Sequence, residues 1–179
     1  RILLQIDLSG ADINSAVYLA SAVPCGGFDG VCLYARENAP APVEIVRHIR
    51  SRLGHLAILY RASLSEAIVE SGVDKGKKTV SVSERLREIS ELAGAGVDAF
   101  EIGLGGTDTP WLLKPSSLLP AGCYAEAARA VRNHLSYIGL PRPVIAFGRL
   151  SYPDLDEKLL QGSYCDLISL DGAGIDDPA

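Results

Sequence analysis

Arg61 stands directly behind Leu56-Ala57-Ile58-Leu59-Tyr60, a run apolar enough to be a buried strand, so its guanidinium is expected at the rim where that strand ends. A guanidinium in that position neutralises an anionic ring atom or a phosphate through paired hydrogen bonds. The competing use is an ion pair with Glu66 or Glu101. Glu101 is the one carboxylate in Ala99–Leu104, and it serves either as a general base with a raised pKa or as the partner of Arg61. Pairing is favoured, because buried carboxylates need a partner. Gln5 interrupts the apolar run Ile2–Leu8 and either points into a polar pocket or satisfies a buried backbone group. Tyr34, Ser63 and Ser65 are candidate donors at the same rim, whereas His48, His55 and His134 fall on expected helices or just beyond them. No Ser-His-Asp or Cys-His pairing follows from the spacing, and the histidines suit surface or capping roles.

A second candidate is Gly148-Arg149. The apolar run Val144–Phe147 stops there, and Ser151-Tyr152-Pro153-Asp154 then opens a helix with Pro near its first turn. A strand, a glycine turn and a helix N-terminus together form a place to hold a phosphate; the alternative is a turn and nothing more.

The elements that must position these residues alternate along the chain. Strands are expected at Ile2–Leu8, Gly30–Tyr34, Leu56–Tyr60, Ala99–Leu104, Val144–Phe147 and Leu167–Leu170. Helices are expected at Asn14–Val23, Ala41–Leu53, Ser83–Ala95, Tyr124–Tyr137 and Pro153–Leu160, with apolar residues such as Ile45, Val46, Ile49 and Leu53 at helical spacing. Alternation of this kind implies a parallel sheet, since each parallel link needs a crossover. Gly27-Phe28-Asp29-Gly30 and Gly96-Val97-Asp98 repeat a glycine–apolar–aspartate step before a strand, and Ser163-Tyr164-Cys165-Asp166 is a looser third copy. The expected fold is α/β, a TIM-barrel-type parallel β/α repeat of about six units in one domain over residues 1–179. Six strands cannot close in the usual eight-stranded geometry, so the barrel is incomplete or atypical. Ligands of such folds sit at the carboxyl ends of the strands, where the links 61–83 and 105–120 are long.

Bulk composition narrows the function classes. The chain has 179 residues, 47% of them hydrophobic, with a formal charge of −5, which suits one substantial core and gives no footprint for nucleic acid. No apolar stretch approaches the ~20 residues of a membrane span and no signal-peptide pattern opens the chain, so a cytoplasmic location is expected. Cys25, Cys32, Cys123 and Cys165 form no CxxC and have no nearby histidine at ligand spacing, so reduced thiols rather than disulfides or a metal site are expected. The chain starts at Arg1 and contains no methionine, which suggests a piece of a longer chain or a processed product.

The segment "PVIAFGRLSYPDLDEKLLQGSYCDLISLDGAGIDDP", Pro143–Pro178, together with "GGFDGVCLY", "ILYRAS", "ELAGAGVDAFEIGLGG" and, more faintly, "LLQIDLSGA", resembles the FMN-dependent old yellow enzyme family. These NADH:flavin oxidoreductases include ene-reductases. The resemblance implies a flavoprotein barrel in which NAD(P)H reduces FMN and the flavin passes a hydride to an activated alkene. It implies that Gln5 meets the flavin pyrimidine edge, that Arg61 faces N1 and O2, and that Gly148 and Arg149 hold the FMN phosphate. Tyr34 and Glu37 stand where the family has two donors for the substrate carbonyl; Tyr34 can still donate, but an ionised Glu37 repels a developing enolate. Asp171-Gly172 stands where the family has the Gly-Arg that grips phosphate, and a carboxylate beside a phosphate is unfavourable. Leu8 replaces a His, Ala11 an Arg, and the first two β/α units have no counterpart. These departures support the alternative of a flavin-free member, either an isomerase or cyclase using Tyr34, Glu37 and Glu101, or an interaction or structural protein. A small-molecule substrate is expected, with a homo-oligomer or a partner segment completing the barrel.

Overall fold

The computed structural model describes residues 2–35, 41–63, 82–103, 121–148, 150 and 152–170. Six strands, β1 (Leu3–Asp7), β2 (Gly30–Tyr34), β3 (Ala57–Ser63), β4 (Ala99–Gly103), β5 (Val144–Phe147) and β6 (Leu167–Ser169), lie side by side in chain order. Every neighbouring pair is parallel. The described helices are α1 (Ile13–Ser21), α2 (Pro42–Arg52), α3 (Val82–Ala95), α4 (Ala125–Tyr137) and α5 (Pro153–Gln161). This is the alternating, incomplete TIM-barrel-type sheet expected from the sequence. Among the described residues no helix is long and apolar enough to cross a membrane.

The helices follow from local chemistry. Asp12 caps α1, its carboxylate accepting from the Ser15 backbone N–H at 3.0 Å and from the Ser15 hydroxyl at 2.8 Å. The Ser15 amide is the main reason that the Asp12 pKa lies below its ordinary value. Pro42 opens α2, Glu44 sits in its first turn and Arg50 and Arg52 in its last, so charge and helix dipole agree at both ends. Ile45, Val46 and Ile49 form its buried stripe.

One face of the sheet carries the core. Ile6, Leu8, Val31, Leu33, Ile58, Tyr60, Phe100, Ile102, Val144 and Ala146 alternate along their strands and pack with Val17, Ile45, Ile49, Ile89, Leu92, Val131 and Leu135 of the helices. Burial of the Tyr60 phenol here pushes its pKa above the ordinary value. The intervening residues face away from the helices, toward what would be the barrel interior.

The repeated aspartates tie the strands in pairs at their amino ends. Asp29, Asp98 and Asp166 each donate a backbone N–H to the carbonyl of a residue opening the preceding strand, namely Ile2, Ile58 and Val144, at 2.8, 2.9 and 2.8 Å. Each also accepts the backbone N–H of that same residue on its carboxylate, at 2.7, 2.8 and 2.9 Å. The chain reaches each aspartate through a residue with positive φ: Gly27 (+74°), Gly96 (+114°) and Ser163 (+58°). That conformation explains the glycine of the sequence pattern and identifies Ser163 as its strained substitute. Arg50 secures the middle tie, donating to the Gly96, Gly54 and Leu56 carbonyls and to Asp98 at 2.7 Å. Arg132 binds Asp166 at 3.0 Å in the same manner.

Two element boundaries differ from expectation by more than one residue. β3 runs on through Arg61 to Ser63 instead of ending at Tyr60, because both flanking strands continue the ladder and pair Tyr34 and Glu101 with Arg61. α1 ends at Ser21, and Ala22 and Val23 close into tight turns on Leu19 and Ala20.

Candidate active site

Asp7, Tyr34, Arg61 and Glu101 are in register across β1, β2, β3 and β4. Because neighbouring residues in register share a face, the four side chains form one polar row on the surface opposite the helices. Their own contacts bear this out: Tyr34 donates to Asp7 Oδ2 at 3.0 Å, and Arg61 Nε donates to Glu101 Oε2 at 2.6 Å.

The Arg61–Glu101 pair is the least exposed ion pair among the described residues, with side chains 17% and 5% accessible. Arg61 therefore lies within β3, and pairing, the favoured use of Glu101, is what the geometry contains. The guanidinium also lies over the Phe147 ring, 5.1 Å from its centroid. Gly103 makes room for that ring, since a Cβ there would fall 2.6 Å from Phe147 Cδ1. Burial alone disfavours the Arg61 charge, but the hydrogen bond and charge of Glu101 outweigh it and set the pKa above the ordinary value. The site thus holds a permanent cation, fixed by Glu101 on one side and Phe147 on another. Among the described residues the two terminal guanidinium nitrogens have no hydrogen-bond partner.

Asp7 escaped the sequence reading. The signal was present: it lies two residues beyond Gln5 in a run where side chains alternate faces, so any pocket reached by Gln5 is also reached by Asp7. Its second carboxylate oxygen accepts the Ser9 backbone N–H at 2.9 Å, which fixes the side chain from behind.

Cys32 is buried on the same face, in register with Gln5 and Leu59. Burial pushes its thiol up to about 11, with Arg61 pulling it down and Glu101 pushing it up. An unfolded chain whose thiol titrates near 9.0 loses that proton between pH 9.0 and about 11 while the folded chain keeps it. Folding then binds protons, so stability falls as pH rises through this window. Urea melts at pH 8 and pH 10 are expected to show a smaller decline for Cys32→Ala than for the parent protein, and a thiol reagent at pH 8 is expected to label exposed Cys25 before Cys32.

Gln5 is exposed on β1 beside Cys32, so the inner face brings it near the polar row. Gly148 is buried at the end of β5 with φ +112°, the conformation for which glycine is suited. Arg149, Glu37 and the Asp171-Gly172 pair lie outside the described residues. Of the histidines, His48 faces the Glu44 carbonyl on its own helix at 2.8 Å. His134 bridges α4 to α3 through Ser90 Oγ at 2.7 Å. Since Ser90 Oγ donates to the Leu86 carbonyl at 2.8 Å, it accepts from His134, and its hydroxyl proton is committed to the helix.

At the ring end, a flavin mononucleotide fits this donor set. The Gln5 amide both donates and accepts, as a pyrimidine edge requires, and Arg61 presents a charge held beside Phe147. At the phosphate end Gly148 permits close backbone approach, but Asp154 and Asp156 already occupy the first turn of α5 and take up its positive end. A charged groove of about 610 Å³ between the starts of α2 and α3, where Arg47, Arg85 and Glu88 meet, lies on the helical side and does not touch the row.

No family model matches the chain. No curated protein matches it either. Solved structures do: a member of the enolase superfamily from Listeria innocua Clip11262 is similar over 97% of this chain, with TM-score 0.61 and 14% identity. A 2-naphthoyl-CoA reductase in complex with 2-naphthoyl-CoA is similar over 93%, with TM-score 0.62 and 17% identity. A dipeptide epimerase from Enterococcus faecalis V583 is similar over 93%, with TM-score 0.57 and 13% identity. The chain spans 36%, 27% and 39% of those three chains. Likeness at this identity shows the fold, a TIM-barrel-type α/β arrangement that these enzymes use.

Proposed function

We propose that the chain belongs to an FMN-dependent NAD(P)H oxidoreductase of old yellow enzyme type that reduces activated alkenes. The observation that carries this reading is the placement of Gln5 and Arg61 on one inner face, with Arg61 held by Glu101 through Nε and its terminal nitrogens without a hydrogen-bond partner among the described residues. Bound FMN would supply hydride transfer from NAD(P)H to the β-carbon of the alkene. Gln5 orients the pyrimidine edge, and Arg61 stabilises negative charge on the ring, which raises its potential. Glu101 fixes the Arg61 side chain at 2.6 Å and tempers its charge. Gly148 and Arg149 hold phosphate, while Tyr34 and Glu37 face the substrate. The similarity to a reductase acting on an aromatic acyl-CoA supports redox chemistry on such a scaffold. A cytoplasmic location and completion of the barrel by a partner segment or a second copy belong to the same proposal.

The test is the absorption spectrum of the purified protein, followed by titration with FMN. Flavin bands shifted from those of free FMN, and weakening of FMN binding by about tenfold or more in Arg61→Ala, are expected for a lost hydrogen bond to charge. Unchanged affinity in Arg61→Ala removes the assigned role. A second reading, a flavin-free isomerase or cyclase, is favoured by the buried Glu101 carboxylate, the Tyr34–Asp7 hydrogen bond and the epimerase and enolase-superfamily neighbours. It predicts no FMN binding, together with solvent deuterium entering the substrate at the carbon that loses its proton.

A further inference from the structure

We infer that Arg61 and Glu101 together form a two-point site for a neutral planar group that carries an acceptor beside a donor, the N–H–C=O edge of a lactam, imide or amide, in preference to a carboxylate. Glu101 is only 4% exposed, yet just one of its carboxylate oxygens is engaged, by Arg61 Nε at 2.6 Å. Its other oxygen, Oε1, has no hydrogen-bond partner among the described residues, and the same holds for the two terminal nitrogens of Arg61. Buried donors and acceptors are nearly always satisfied, so these three atoms call for an outside partner. None of them is sealed off by its neighbours, so a ligand can reach them. They also stand close together: Nε and Oε2 touch, each terminal nitrogen shares Cζ with Nε, and Oε1 shares Cδ with Oε2. The flanks add no competing partner. Ile145, next in register after Glu101, is apolar, and the Phe147 ring lies 5.1 Å from the guanidinium. On the other side Tyr34, in register with Arg61, gives its proton to Asp7. The charges then decide the ligand class. Arg61 and Glu101 cancel, so an anion drawn to one is repelled by the other, and a cation fares no better. A neutral N–H–C=O edge uses both, its oxygen accepting from Arg61 and its N–H donating to Glu101 Oε1. This goes beyond the flavin reading, in which Glu101 only holds Arg61, and takes from it only that ligands lie on the inner face.

The test follows the Arg61 Nε–H signal of the full protein by NMR, labelled with heavy nitrogen and assigned by its loss in Arg61→Met. Three probes are titrated: δ-valerolactam, which donates and accepts; cyclohexanone, a ring of the same size that only accepts; and acetate, an anion. The lactam is expected to bind at least about tenfold more tightly than either of the others, the size of one hydrogen bond to a charged group. Glu101→Gln puts the inference at risk directly. The Gln side-chain oxygen can keep the Arg61 Nε–H, while its amide nitrogen turns the open acceptor into a donor. In that variant the advantage of the lactam over cyclohexanone should fall by about tenfold. Should Glu101→Gln not fold, N-methyl-δ-valerolactam on the parent protein takes its place, since it keeps the carbonyl and lacks the N–H; weaker binding than the lactam is expected. Four results overturn the inference: no response to the lactam, which leaves the pair to water; acetate or cyclohexanone binding as tightly as the lactam; an undiminished lactam advantage in folded Glu101→Gln; or N-methyl-δ-valerolactam binding as tightly as its parent compound. FMN plays no part in these titrations, so failure of the flavin reading and failure of this inference are separate results.

Discussion

Replacing Glu101 by Ala lowers folding stability by about 3 to 5 kcal/mol, the cost of leaving a buried charge without its partner. The size follows from burial: Glu101 is 5% and Arg61 17% accessible, so water cannot take the place of the lost carboxylate. Arg61 cannot relieve the cost by losing its proton, because a guanidinium stays charged throughout the accessible pH range. Urea melts of the parent and the variant measure the difference. Glu101→Ala combined with Arg61→Met removes the orphaned charge and is expected to recover most of the loss. A loss below about 1 kcal/mol in the single variant would mean that the pair behaves as an exposed one.

The second large effect concerns Arg50. Its guanidinium reaches the carbonyls of Gly96, Gly54 and Leu56 and the carboxylate of Asp98, all between 2.6 and 3.2 Å. One side chain thus closes the end of α2, the entry to β3 and the turn before β4. Arg50→Ala is expected to cost about 3 kcal/mol, since several carbonyls lose a charged donor at once. Arg50→Lys is expected to recover less than half of this, because an ammonium is a single point and cannot span acceptors on opposite sides of a planar fork. Thermal or urea unfolding of the three proteins decides the matter, and full rescue by Lys would show that charge, not shape, carries the contribution.

Much of the fold was legible because the strands and helices have different apolar periods and their joints carry recognisable residues. The six strand positions were readable from short runs of Val, Ile, Leu and Phe, and the parallel order followed from the helices between them. The aspartate joints were visible as a repeated step; their meaning was not, since nothing in the sequence says that Asp98 reaches back forty residues to the Ile58 amide. The site was legible in part for a similar reason. Gln5 and Glu101 drew notice as polar residues inside apolar runs, whereas Asp7, inside the same run Ile2–Leu8, was not singled out. Arg61 looked like a residue beyond its strand, because a charge after five apolar residues resembles a terminus. Only pairing with Tyr34 and Glu101 on both sides keeps the ladder going through it.

The three aspartate ties join β1 to β2, β3 to β4 and β5 to β6, and each carboxylate reaches a backbone amide of the adjacent strand alone. The sheet is therefore written in cassettes of two. A cassette can be added, removed or exchanged without breaking the carboxylate tie of its neighbours, whereas a cut inside one strands an aspartate on one side and a bare backbone amide on the other. Recombination between relatives, natural or engineered, is tolerated best at the joints between cassettes, so that viable chimaeras of this chain should gain or lose strands in even numbers.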